Sequence, residues 1–162
     1  MGEPAIVVEG LRKSYGHNKA VCGIDFEVPS GEVFALLGPN GAGKTTTVEI
    51  LEGFRQRDAG KVCVLGIDPR HGRRTLRERI GIVLQECGID PYLTVIEAAR
   101  MHASRYGAPR SPDEVVELVG LAEQQDQRVK TLSGGQQRRL DLALGLVGDP
   151  ELLFLDEPTT GF

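Results

Sequence analysis

The stretch "GPNGAGKTT", residues 38–46, combines glycines with one lysine and two threonines. From Gly38 to Thr45 it fits the pattern G-x-x-x-x-G-K-[ST]. A short apolar run, "VFALLG", precedes it, and "GKTTTVEILEG" has the composition of a helix. This pattern indicates a phosphate-binding loop only when a strand precedes it and a helix follows it, and both are expected here. The stretch therefore predicts an α/β fold with a phosphate-binding loop at the start of a helix.

The chemistry of this loop explains its residue types. Main-chain N–H groups at a helix N-terminus can meet the negative charge of phosphates closely where glycines leave room. Lys44 supplies a positive charge for the β and γ oxygens, and the Thr45 hydroxyl can ligate Mg²⁺. A glycine-rich turn without a ligand is the alternative, which the flanking elements disfavour. The residues of the loop expected to contact a bound nucleotide are Gly38, Pro39, Asn40, Gly41, Ala42, Gly43, Lys44, Thr45 and Thr46.

An acid pair follows an apolar run in "ELLFLDEPTTGF", residues 151–162. Neighbouring side chains of a strand point to opposite faces, so Asp156 and Glu157 are expected to act separately. We expect Asp156 to hold Mg²⁺ and Glu157 to orient or deprotonate an attacking water. A solvated strand end is the alternative, but the phosphate-binding loop upstream favours the functional interpretation.

The composition excludes several classes of protein. The net charge of −4 gives no electrostatic reason to expect a nucleic-acid partner. Three separated cysteines without C-x-x-C spacing disfavour a zinc site and a redox pair. The first ten residues, "MGEPAIVVEG", do not resemble a signal peptide, and the chain lacks the ~18 apolar residues of a spanning helix. Any membrane role is therefore expected to come through a partner.

Local patterns predict the remaining elements. Residues 5–37 indicate strands, with "VFALLG" expected to be buried on both faces. Residues 93–148 indicate helices, and strands are expected at Ile80–Leu84 and in "LLFL". Capping boxes are predicted at Thr94, Ser111 and Ser133, and helix-ending glycines at Gly53, Gly120 and Gly148.

The segment "LSGGQ", residues 132–136, identifies a family. Together with "LSGGQQRRLDLALGL" directly upstream of "LLFLDEPTT", it resembles the ATP-binding cassette family, the nucleotide-binding subunits of ABC transporters. The resemblance runs over essentially the whole chain. In that family the element contacts the γ-phosphate of ATP on the opposite subunit, so that two chains enclose two nucleotides head to tail. This implies ATP contacts by Ser133, Gly134, Gly135 and Gln136; glycines that serve only packing are the alternative.

The resemblance assigns further positions one by one. Tyr15, in "LRKSYG", matches the aromatic residue that stacks on adenine. Gln85, after "IGIVL", matches the glutamine that reaches Mg²⁺ or the attacking water. The implied catalytic residues are therefore Glu157, Gln85 and Lys44, and the implied metal ligands are Thr45, Gln85 and Asp156.

The fold class implied is α/β, a P-loop NTPase core with a mostly parallel sheet. An N-terminal antiparallel β subdomain and an inserted helical subdomain complete it. We expect one domain, 1–162, with the core in 1–92 and 149–162 and the helical subdomain in 93–148. The family pattern continues with an aspartate loop and a histidine, so the C-terminal part of the core is expected to be missing. "TTGF" and "EILEGFRQRDAG" resemble the subset of daunorubicin and antibiotic-resistance exporters.

The function implied is an ATP-binding and ATP-hydrolysing subunit of an ABC transporter, with export favoured. Its expected partners are a second ATPase subunit and separate transmembrane permease subunits, and its expected location is the cytoplasmic face of the membrane. One alternative is a truncated fragment that binds nucleotide without hydrolysing it. Another is a soluble ABC-type ATPase acting on nucleic acid or the ribosome, which the absence of long insertions and zinc cysteines disfavours.

Overall fold

The computed structural model describes residues 3–83 and 88–155. It divides into two compact units, Met1–Arg77 and Glu78–Phe162. Each unit contains its own strands and helices. The division into a core of 1–92 with 149–162 and a helical subdomain of 93–148 stays a prediction.

An antiparallel sheet dominates the first unit. Its elements are β1 (Ile6–Tyr15), β2 (Asn18–Val28), α1 (Lys44–Leu51), β3 (Ala59–Val64) and α2 (Arg73–Arg77). The central strand is β1, in the order β2–β1–β3. Ile6 pairs with Val28 of β2 and with Val64 of β3, and all three side chains are buried. The predicted antiparallel β subdomain is confirmed.

Helix α1 packs on this sheet and ends where the sequence predicts. Ile50 and Leu51 are buried, and the helix contacts β2 and β3. Gly53 has φ 77° and donates its N–H to the Ile50 carbonyl at 3.1 Å. Phe54 donates to the Glu49 carbonyl at 2.8 Å. These paired bonds are a Schellman ending, which requires the left-handed conformation that glycine adopts without strain.

The second unit combines a parallel strand pair with helices. Its elements are β4 (Ile80–Val83), α3 (Val95–Ala103), α4 (Pro112–Leu118), α5 (Gly134–Leu146) and β5 (Leu152–Leu155), with 3₁₀ turns at Ala122–Gln124 and Val129–Thr131. Strands β4 and β5 are parallel, with Ile80 opposite Leu152. A Cβ on Gly81 would stand 2.2 Å from the Gly145 carbonyl oxygen. Helix α5 therefore crosses β4 with backbone close to backbone.

The three described α-helices of the second unit enclose one apolar core. Buried side chains from α3, α4 and α5 meet in it, including Val95, Val115 and Leu140. The helical character predicted for residues 93–148 is therefore confirmed. Among residues 3–83 and 88–155, none of the helices combines the length and the hydropathy that crossing a bilayer requires.

Two of the three predicted capping boxes form. Thr94 and Ser133 each accept from the N–H three residues later, and Glu97 and Gln136 reach back to the cap N–H. The prediction at Ser111 is wrong, because its side chain makes no capping hydrogen bond. Glu114, which would have to reach back, instead accepts from the Arg110 guanidinium at 2.8 Å.

The predicted glycine stops differ in mechanism. Gly120 follows α4 with φ 71°, as expected. Helix α5 does end just before Gly148, but the left-handed residue there is Asp149, with φ 52°. A Cβ on Gly148 would stand 2.5 Å from Cε1 of Tyr106. Close packing against an aromatic ring, and not backbone conformation, therefore requires a glycine at position 148.

The strand predicted for "VFALLG" is wrong. Residues 33–38 adopt no strand, and Val33 and Leu37 have exposed fractions of 102% and 87%. Phe34 stacks on Phe26 of β2, with ring centroids 5.3 Å apart. A strand needs a hydrogen-bonded neighbour, and the described sheet of this unit contains only β2, β1 and β3. An apolar composition predicts burial, but it does not show that a neighbouring strand is present.

Candidate nucleotide-binding site

The loop between residues 38 and 43 is a compact turn held against β2. The Ala42 N–H donates to the Pro39 carbonyl at 3.2 Å. Gly41 and Gly43 have φ 82° and 81°. A Cβ on Gly43 would stand 2.2 Å from the Ala20 carbonyl oxygen. The main chain of β2 thus fixes the position at which the loop enters α1.

The first turn of α1 presents donors without competing acids. Its N-cap is Gly43, which offers no side-chain acceptor. The first main-chain bond of the helix runs from Thr47 N–H to the Gly43 carbonyl at 2.8 Å. The N–H groups of Lys44, Thr45 and Thr46 precede that bond, so the helix itself leaves them without an intrahelical acceptor. None of the described residues in this turn is acidic, and the helix dipole adds positive potential.

The Lys44 side chain folds over the loop that precedes it. Its ammonium donates to the Gly38 carbonyl at 2.7 Å and to the Pro39 carbonyl at 2.9 Å. Both acceptors are neutral, so these contacts do not cancel its charge. The ammonium therefore lies over the loop as a cation that an anion can attract.

Tyr15 is the last residue of β1 and has two cations near its ring, one from β1 itself and one from the segment that follows α1. The Lys13 ammonium lies 5.5 Å and the Arg55 guanidinium 5.2 Å from the ring centroid. The ring residue keeps an exposed fraction of 40%. Arg55 also forms an ion pair with Glu49 of α1, and this hydrogen bond raises the pKa of Arg55 above its ordinary value.

The signature residues begin α5 on the surface of the second unit. Ser133 and Gln136 form the capping box described above, with bonds of 3.3 and 2.8 Å. Around an ideal Cβ on Gly134 or Gly135, no described atom outside the adjoining backbone lies within 4 Å. Neither glycine has a left-handed φ. Neither the packing nor the backbone of the described chain therefore requires glycine at these two positions.

Three predicted site residues lie outside the described residues, namely Gln85, Asp156 and Glu157. Their assigned roles stay predictions. Within residues 3–83 and 88–155, no group of three or more His, Cys, Asp or Glu side chains could hold a metal ion. The exposed Thr45 hydroxyl in the first turn of α1 is a fitting oxygen ligand for Mg²⁺.

The sequence did not indicate three contacts of this site. Arg55 was not assigned to Tyr15, Glu49 was not assigned to Arg55, and Ala20 was not assigned to the loop. The contacts of Arg55 with Tyr15 and of Ala20 with Gly43 join residues that are distant in the chain. Only the general expectation that an exposed aromatic ring attracts a guanidinium could have suggested the first of them.

A family model described as "ABC transporter" matches residues 21–160. The chain belongs to the ABC transporter family. This match includes the phosphate-binding loop and the signature element, whose geometry is given above, and confirms the resemblance found from "LSGGQ". The fold class, a P-loop NTPase of the ABC type, is confirmed as well.

Curated relatives of this ABC protein extend over nearly all of it. It is 44% identical over 165 residues to the Nod factor export ATP-binding protein I of Ralstonia nicotianae, covering 98% of this chain and 51% of the relative. It is 43% identical over 162 residues to the daunorubicin/doxorubicin resistance ATP-binding protein DrrA of Streptomyces peucetius, covering 97% and 49%. The chain thus spans about half the length of the curated relatives it matches.

Solved structures agree with the family assignment. CbiO1 from Clostridium perfringens, part of the ABC transporter complex cbiONQ, superimposes with a TM-score of 0.88 at 32% identity, covering 99% of this chain and 68% of that one. MJ1267 in its ADP conformation, an ATP-binding cassette of an ABC transporter, gives a TM-score of 0.84 at 22% identity, covering 99% and 71%. At that identity the second likeness concerns the fold alone.

Proposed function

We propose that this chain binds Mg·ATP at residues 38–46 and hydrolyses it as the ATP-binding subunit of an ABC exporter. The observation that carries the proposal is the first turn of α1. There the N–H groups of Lys44, Thr45 and Thr46 and the Lys44 ammonium are concentrated without an acid in the described turn. Such an arrangement favours a polyphosphate over other ligands.

Each residue of the proposed site has its own role in the transfer of the phosphoryl group to water. The glycines of the loop and Lys44 bind the phosphates, and Tyr15 stacks on adenine. Mg²⁺, when bound, neutralises phosphate charge, and the Thr45 hydroxyl with Gln85 and Asp156 would hold it. Glu157 accepts a proton from the attacking water, which Gln85 orients. Positioning and charge stabilisation supply most of the rate enhancement in this chemistry.

A second copy of the ATPase subunit completes the site. The surroundings of Gly134 and Gly135 support this step, because open space, and not the chain's own atoms, lies where their side chains would be. A phosphate on another subunit can therefore approach the N–H groups at the start of α5. Ser133 and Gln136 hold that helix start in place through their reciprocal bonds.

The direction of transport is proposed from the relatives. Two of them are named for Nod factor export and for resistance to daunorubicin and doxorubicin. We infer that ATP closes the dimer, that hydrolysis reopens it, and that separate membrane subunits convert this motion into export. The ATPase subunits would then lie at the cytoplasmic face of the membrane, and the membrane subunits would select the cargo.

Two substitutions test the division of roles. Lys44→Ala is expected to abolish saturable Mg·ATP binding in titration calorimetry. Glu157→Gln is expected to retain binding while ATP turnover stops, measured by phosphate release. Lys61→Ala, at an exposed side chain of β3 paired with Glu9 at 3.3 Å, is the control and should change neither. Equal loss of binding in Lys44→Ala and Glu157→Gln would contradict the division.

A further inference from the structure

The segment after α1 is fastened to the end of β1. Asp58 donates its N–H to the Arg12 carbonyl at 2.9 Å. Its carboxylate accepts from the Lys13 ammonium and from the Ser14 N–H, both at 2.7 Å. Three consecutive residues before Tyr15 are therefore bonded to a single residue of the segment. This fixes the position of the backbone that carries the Tyr15 ring.

Arg55 belongs to the same segment and is anchored twice to one residue of α1. Its N–H donates to the Glu49 carbonyl at 3.0 Å. Its Nε donates to the Glu49 carboxylate in the ion pair already described. A side chain held at both its backbone and its guanidinium has lost most of its rotamer freedom before any ligand arrives.

The anchored guanidinium lies near the Tyr15 ring, 5.2 Å from its centroid. A cation at this distance attracts the negative face of an aromatic ring. Tyr15 as a residue has an exposed fraction of 40%, so it lies where a base can approach it. We call Glu49, Arg55 and Tyr15 together the Arg55 bridge.

We propose that Arg55 is a positioning residue for nucleotide binding, which holds the Tyr15 ring where adenine stacks on it. The inference rests on the proposed function. The Arg55 bridge connects the base-binding ring to α1, the helix that begins at Lys44 and carries the phosphate donors. It thereby holds the Tyr15 ring at a fixed position relative to the phosphate-binding turn of α1. Arg55 therefore strengthens the binding of a purine nucleotide and does not affect the binding of a bare polyphosphate.

Titration of the full chain with two probes tests this inference. ATP reports on both halves of the site, and inorganic tripolyphosphate reports on the phosphate half alone. Arg55→Gln is expected to raise the Kd for ATP about three- to tenfold, the range of a partly exposed cation–π contact. The Kd for tripolyphosphate should stay within about twofold. Arg55→Lys keeps a cation and should recover at least part of the ATP affinity.

A double substitution separates positioning from a merely structural role. If Arg55 acts through the ring, Arg55→Gln should cause no further loss of ATP affinity in a Tyr15→Ala background. Additive losses would overturn the inference, because they would mean that Arg55 acts independently of Tyr15. An equal loss of tripolyphosphate binding would overturn it too, since that would indicate damage to α1.

The control is Lys61→Gln, which removes the exposed ion pair with Glu9 on the neighbouring β3. It should leave both Kd values unchanged. A wild-type chain without saturable ATP binding would overturn the proposed function and this inference together. Normal wild-type binding with an unaffected Arg55→Gln variant would overturn this inference alone.

Discussion

A Cβ on Gly43 would stand 2.2 Å from the carbonyl oxygen of Ala20, closer than non-bonded atoms can approach. The glycine at the entrance to α1 is therefore required by the chain itself, before any ligand is considered. Gly134 of the signature element has no such neighbour within 4 Å among the described atoms outside its adjoining backbone. Both glycines are assigned to phosphate binding, but the fold requires glycine only at position 43. Substitutions at the two positions should therefore have different effects on stability.

Gly43→Ala is expected to lower the free energy of unfolding by roughly 2–4 kcal/mol and to abolish ATP binding. The loss combines a side chain at φ 81° with the clash against Ala20. Urea denaturation measures the first effect and calorimetric titration the second. Gly41→Ala is the matched control for stability, since its φ is 82° but no described atom lies near its Cβ. Its cost should be only about 1–2 kcal/mol. Equal costs would show that the contact with Ala20 is not what matters.

Gly134→Ala should behave in the opposite way. At the first position of α5, where a side chain meets open space, alanine should leave the free energy of unfolding unchanged or raise it by up to ~1 kcal/mol. ATP turnover, measured by phosphate release, should fall at least about tenfold, because under the proposed function the methyl group would block the phosphate of the second subunit. ATP binding to the loop at 38–46 should persist. A stable variant with normal turnover would exclude this face of α5 from the site.

The two capping boxes form a matched pair for separating stability from function. Ser133→Ala and Thr94→Ala each remove a hydroxyl that accepts the N–H of the third helical residue. Each should lower the free energy of unfolding by about 1 kcal/mol, measured by chemical denaturation. Only Ser133→Ala should also reduce ATP turnover, because Thr94 caps α3 and has no assigned contact with nucleotide. Equal turnover in the two variants would contradict the ATP contact assigned to Ser133.

Local patterns predicted most elements because their signals are contained in a few adjacent residues. The Gly53 ending of α1 and the cap at Ser133 depend only on backbone conformation and on partners three to five residues away. The capping box predicted at Ser111 failed where a competing partner intervened. Arg110 engages Glu114 and so removes the second half of the box at Ser111.

Contacts between residues that are distant in the chain could not be predicted from the sequence. The run at 33–38 is apolar, but apolar residues specify burial only when other strands and helices cover them. The loop glycines were predicted from their spacing, whereas the contact of Gly43 with Ala20 depends on how β2 is folded. The same holds for Arg55, whose guanidinium reaches a ring at the end of β1.

A further ion pair fixes the link between β3 and α2 in the first unit. Arg57 donates two parallel hydrogen bonds to the Asp68 carboxylate, at 2.8 and 2.7 Å. The Arg57 side chain is 9% exposed and that of Asp68 35%. The hydrogen bond from Arg57 lowers the pKa of Asp68 from 3.8 to about 2. The folded state therefore favours the charged carboxylate.

Asp68→Asn should destabilise the protein in a pH-dependent manner. Because the folded pKa lies below 3.8, the contribution of Asp68 is fully present above that value and is lost as the pH falls towards about 2. At pH 7 the variant should lose roughly 1 kcal/mol of unfolding free energy, a small figure because the carboxylate is partly exposed. Denaturation of both proteins between pH 7 and pH 2.5 should show this gap in unfolding free energy closing only below about pH 4.

The control is Asp113→Asn, at an exposed acid 3.4 Å from Arg100, which should show no such gap. A gap that stays constant down to pH 2.5 would mean that the Asp68 charge contributes nothing to stability.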